Sequence, residues 1–71
     1  MKTIQITAEI VPEEEGGFSV YCPELDIATQ GETAEECIEN LREAAGLHLE
    51  ELGESGVRQV TRRELEVQIG A

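Results

Sequence analysis

One imidazole, two thiols and sixteen carboxylates are the groups in this sequence able to do acid–base, nucleophilic or metal chemistry. His48 is the only histidine, and Cys22 and Cys37 are the only cysteines. A nucleophile–base pair requires a thiol within hydrogen-bond reach of the ring. Cys37 precedes His48 by 11 residues; on one helix they stand ~16 Å apart along the axis at 1.5 Å per residue. Cys22 alternates with Phe18 and Val20, as on the buried face of a strand, where a free cysteine acts as a small hydrophobe. The thiols have no CxxC spacing, and His48 does not complete a four-ligand zinc set. Neither a metal nor any other cofactor is expected.

General acid–base work needs a carboxyl group in a pocket that shifts its pKa. Most acids here fall in loops or along one side of a helical pattern, where water screens them; Asp26 is the least obviously solvated. Glu13–Glu15 lacks the spacing of a calcium loop, and Gly16–Gly17 belongs to neither phosphate-loop pattern. No catalytic residue is assigned, and the chain reads as a binding protein rather than an enzyme. The rival reading, a catalytic or ligand site at a subunit interface around His48, Cys22 and Asp26, names no substrate.

Charge points to partners. Net charge is −11, distributed unevenly. Residues 1–56 hold 14 acids against Lys2 and Arg42, giving −12, whereas residues 57–71 carry +1 from Arg58, Arg62 and Arg63 against Glu64 and Glu66. A nucleic-acid surface needs a basic patch to neutralise phosphates, and three arginines in a short segment make a thin one, so direct nucleic-acid binding is not expected. An acidic face steers basic partners instead; its plain alternative is solubility alone. No apolar run is long enough to span a membrane, the start MKTIQITAEIV has no signal-peptide core, and two cysteines without a framework suit a reducing cytoplasm.

These groups must be positioned by a short chain. Seventy-one residues make a single domain, 1–71, whose buried fraction is ~60%, low enough that such chains often lean on oligomerisation. A dimer or tetramer is expected. Ile4, Ile6, Ala8 and Ile10 alternate with polar residues, predicting a strand over 3–11. Pro12 stops it, and Gly16–Gly17 turn the chain into a second strand, 18–22, broken by Pro23. A third, short strand spans 25–30. Thr33 followed by Glu36 forms a capping box, opening a helix over 34–52 with Gly53 as its stop.

At 100° per residue, Ala34, Cys37, Ile38, Leu41, Ala45, His48, Leu49 and Leu52 make one apolar stripe, and Glu35, Glu39, Glu43 and Glu50 lie almost opposite. Capping and the helix dipole account for acids in the first turn, but not for Glu43 and Glu50. Gly46 inside the helix costs ~1 kcal/mol relative to Ala; close packing is its candidate reason. Leu65, Val67 and Ile69 alternate with Glu64, Glu66 and Gln68, predicting a last strand that completes the sheet or pairs across a two-fold with a neighbour. The order β-β-β-α-β is an α+β two-layer fold, an antiparallel sheet with one helix on one face.

The stretch EEEGGFSVYCPELDIATQGETAEECIENLREAAGLHLEEL, residues 13–52, resembles the HicB-like antitoxin family in its short, stand-alone form. The resemblance rests on Gly16, Gly17 and Phe18, on Pro23 and Leu25, on Gln30-Gly31-Glu32-Thr33, on Glu35 through Asn40, and on Leu47, Leu49 and Glu50. It covers over half of the chain and is mainly a folding signature. It implies a non-catalytic domain that assembles as a dimer or tetramer and covers the active site of a small, basic, mRNA-cleaving HicA-like toxin. Glu35, Glu39, Glu43 and Glu50 are then the candidate partner-binding residues. Many relatives add an operator-binding DNA module after the last strand; that role is not carried over. Asp26–Ile27 departs from the Pro-Gly-Cys common in relatives, and His48 stands where Tyr is frequent, which leaves partner specificity open. The other reading is a stand-alone acidic homo-oligomer with no toxin.

Overall fold

Two glycines begin the sheet. Gly16 and Gly17 take φ of 107° and 76°, a region side chains disfavour, and reverse the chain through Glu13. The Gly16 N–H donates to the Glu13 carbonyl (3.1 Å) and the Glu13 N–H to the Gly17 carbonyl (3.0 Å). The computed structural model of the protein describes residues 2–70. Its elements run β1 (Glu9–Pro12), β2 (Phe18–Cys22), β3 (Ile27–Gly31) and α1 (Ala34–Leu52), then a 3-10 turn at Glu54–Gly56. The sheet order is β1-β2-β3, antiparallel throughout, and α1 packs over β3 and β2. This is the α+β arrangement expected.

Register decides which residues meet the helix. Ile10 pairs with Val20, Val20 with Thr29, and Cys22 with Ile27, all on the inner face; Glu9, Tyr21 and Ala28 share the outer face. The buried core is Val20, Cys22, Leu25, Cys37, Leu41 and Ala45, with Val20 only 1% exposed and Leu41 3%. Fully burying a Val or Leu side chain is worth about 1.5–3 kcal/mol. Few such residues leave a small stability margin.

The helix runs where its local signals place it. Thr33 Oγ1 accepts the Glu36 N–H at 3.1 Å, and Gly53, at φ 73°, returns its N–H to the Leu49 carbonyl. The capping box is displaced by one residue: Glu36 Oε1 accepts at 3.4 Å from the Glu32 N–H, outside the cap residue. No helix among the described residues is long and apolar enough to cross a membrane.

Several expectations are corrected. The predicted last strand is not formed: residues 57–70 carry no strand or helix, and Leu65, Val67 and Ile69 are 75%, 72% and 98% exposed. Alternation supplies a face but not a neighbour, and no strand among the described residues pairs with it. The first strand is shorter than 3–11, because β2 ends at Cys22 and leaves residues 3–7 no strand residue to pair with. Pro12 is the last residue of β1 and ends it as expected, on an edge strand where a proline is tolerated. β3 begins at Ile27 because Leu25 is buried within the preceding turn and Asp26 takes φ 55°. Leu52 leaves the apolar stripe, at 60% exposure. An added Cβ at Gly46 meets nothing within 4 Å, so packing inside this chain is not the reason for that glycine.

The radius of gyration is 14.7 Å, against ~11 Å for a compact chain of this length. The departure fits a packed unit trailing the uncovered segment 57–70.

Candidate functional site

The helix ridge is built by periodicity. Glu35, Glu39 and Glu43 recur at intervals of four, and Glu50 follows seven further on. All four are exposed, on the side away from the buried Cys37, Leu41 and Ala45. At 1.5 Å per residue the row extends ~22 Å. Among the described residues none of the four takes part in an ion pair, and none makes a side-chain hydrogen bond. Like charges at i,i+4 destabilise a helix by about 0.2–0.5 kcal/mol per pair. The Glu35–Glu39 and Glu39–Glu43 pairs therefore oppose folding slightly, and stability does not explain the row.

A second polar feature, missed in sequence, gathers around the β2–β3 turn. Arg58 donates from Nε (3.0 Å) and Nη2 (2.7 Å) to the Pro23 carbonyl and from Nη2 to Tyr21 Oη (3.2 Å). Its backbone N–H donates to the Glu24 carbonyl at 2.8 Å. Tyr21 Oη donates to Asp26 Oδ1 at 2.8 Å, and Asp26 lies 3.7 Å from Nη2 of Arg58. The Asp26 bond, ahead of partial burial, holds the Tyr21 phenol above its ordinary pKa, and Arg58 opposes the rise. Glu24 faces the other way. Its Oε1 accepts the Thr7 N–H at 2.8 Å and its Oε2 accepts the Thr7 hydroxyl. Desolvation pushes the Glu24 carboxyl up, but the Thr7 bonds together with further backbone and Cys22 bonds outweigh it, and the net shift is downward. The clue to this knot was the change of charge sign after residue 56, together with an acid set between Pro23 and Leu25.

The alternative constellation of His48, Cys22 and Asp26 is not brought together. Cys22 is wholly buried, with its thiol 3.5 Å from Glu24 Oε1 and its pKa raised, chiefly by burial. Asp26 is exposed and held by Tyr21 and Arg58. His48 is half-buried on α1. Cys37 is also buried and free, its thiol pushed up by burial first and the Glu36 charge second. Among the described residues no three His, Cys, Asp or Glu side chains form a group able to hold a metal ion.

The third feature is a groove between residues 3–8 and one side of α1. Ile4 and Ile6 form one wall, and Ile38, Leu41, Ala45 and Leu49 the other. Its rim carries Arg42, which joins no ion pair among the described residues.

No family model matches the chain, and neither a curated protein nor a solved structure matches it.

Proposed function

We propose that the chain is a non-catalytic protein-binding module of the HicB-like antitoxin type, whose acidic helix engages a small basic RNA-cleaving toxin. The observation that carries this reading is the row Glu35, Glu39, Glu43 and Glu50, exposed and, among the described residues, without ion-pair partners. A cationic RNA-binding face is complementary to it, and such complementarity raises association rate and selectivity. The resemblance of residues 13–52 to that family supplies the partner class. The two buried, unbridged thiols agree with residence in a reducing cytoplasm.

Co-expression with the product of the adjacent reading frame, followed by pull-down at low salt, tests the reading. A 1:1 or higher-order complex is expected, weakened by salt and by joint substitution of the four glutamates with glutamine. Failure to form a complex at low salt overturns it.

The second reading is a stand-alone acidic homo-oligomer with no toxin. It is favoured by the exposed stripe Leu65, Val67 and Ile69, which needs an apolar neighbour rather than a basic one. A neighbouring gene for a short basic protein separates the first reading from the second.

A further inference from the structure

We infer that residues 64–69 of one copy add as a fourth strand to the open β1 edge of a second copy, their apolar side chains filling the groove between residues 3–8 and α1. This rests on the self-association of the second reading and is independent of any toxin.

The open edge is definable from backbone contacts. The Thr7 N–H points to Glu24 and the Glu13 N–H to Gly17, both on the β2 side. Backbone groups alternate sides along a strand, so those of Ala8 and Ile10 face away from β2, where no strand among the described residues pairs with them. The opposite edge is partly closed, because Asn40 Nδ2 donates to the Gln30 carbonyl at 2.7 Å. A strand arriving at this sheet therefore meets its free donors and acceptors beside β1.

The groove fits what the segment carries. Leu65, Val67 and Ile69 share one face of an extended strand, six residues of which span ~20 Å, the length offered by residues 3–8. Their side chains enter between Ile6 and the helix residues Ile38 and Leu49, all of which are only partly buried in the single chain. Glu64 and Glu66 alternate with them and keep their carboxylates on the opposite face of the added strand, in water. Gly46 also lines the groove and presents no side chain, which gives this helix glycine a purpose that packing within one chain does not.

The segment's own anchors favour exchange between copies. Arg58 fastens it at Pro23 and Tyr21, and Arg62 reaches Glu9 of β1 at 3.3 Å. Only two residues, Arg63 and Glu64, then separate Arg62 from Leu65, yet Leu65, Val67 and Ile69 remain exposed. A two-fold axis lets each copy receive the other's strand, filling both grooves and both edges in a closed, self-complementary interface.

Sedimentation velocity of the full chain and of Val67→Asp, with circular dichroism as the folding control, tests the route. The expected result is a wild-type mass of twice 7.8 kDa and a folded monomer for V67D, since residue 67 is exposed in the single chain. Isotope-filtered NOEs in a mixed-label dimer are expected between the Val67 and Leu65 methyls of one copy and the Ile38 and Leu49 methyls of the other. A wild-type monomer overturns both self-association and this route. A dimer that survives V67D, or NOEs confined to one copy, overturns the route alone and leaves self-association standing.

Discussion

β2 and residues 65–69 carry the same period-two signal and meet opposite fates. In FSVYC, Val20 and Cys22 are buried with β1 and β3 on either side and α1 above. In LEVQI, Leu65, Val67 and Ile69 stand in water. Composition does not separate the two, since both alternate apolar with polar residues. Neighbours separate them: β2 is flanked within 10 residues by turns that fold its partners back, whereas residues 57–70 follow a 19-residue helix and pair with no strand among the described residues. A strand is thus a property of a pair, and alternation states only which side is apolar once a pair exists.

The contrast is open to direct attack. Leu41→Ala, at the centre of the packed half, is expected to lose about 2–5 kcal/mol of stability through lost transfer energy plus a cavity. In so small a domain that is most of the margin. Leu65→Ala, measured by the same urea titration at concentrations low enough to keep copies apart, is expected to stay within ~0.5 kcal/mol. Equal effects would erase the distinction between the regions.

A smaller effect tests the polar tie between the packed half and residues 3–8. Glu24→Ala leaves the Thr7 N–H and hydroxyl without their acceptor and is expected to cost about 1–3 kcal/mol. The folded-state pKa of Glu24 lies below its ordinary value, so near that value the unfolded chain binds more protons than the folded one, and stability rises with pH. The contribution of Glu24 is complete above the usual carboxylate pKa of ~4.3 and disappears as pH falls through the lowered folded value. Urea titrations across that acid window should show a steeper loss for wild type than for Glu24→Gln; parallel curves would remove Glu24 from the tie.

The smallest expected effect has the opposite sign. Gly46→Ala meets open space and should stabilise the isolated chain by ~1 kcal/mol through helix propensity. Destabilisation in the monomer would mean that Gly46 has a neighbour within its own chain.

What could be read from residues alone follows from range. The cap Thr33, the stop Gly53 and the whole span of α1 rest on signals within a few positions of one another, and all were legible. So were the Gly16–Gly17 reversal and the outward placement of Glu35, Glu39, Glu43 and Glu50, because helical periodicity fixes which residues share a side. Arg58 was not legible: its partners Pro23 and Tyr21 lie 35 and 37 residues away, and no local pattern joins them. Leu52 was misplaced because the stripe continues beyond the sheet that covers it. The length of β1 was overestimated because alternation in residues 3–8 runs on after β2 has ended.

The bare acidic ridge makes both of the proposed associations answer to ionic strength. Two copies of this polyanion repel each other, and at 0.15 M salt fields beyond ~8 Å are damped, so added electrolyte would favour the proposed homodimer. A cationic guest of the proposed kind would respond the other way, since the same ions weaken its attraction to the glutamates. One dialysis series would therefore report on the two proposals in opposite directions, guest binding falling and self-pairing rising with salt.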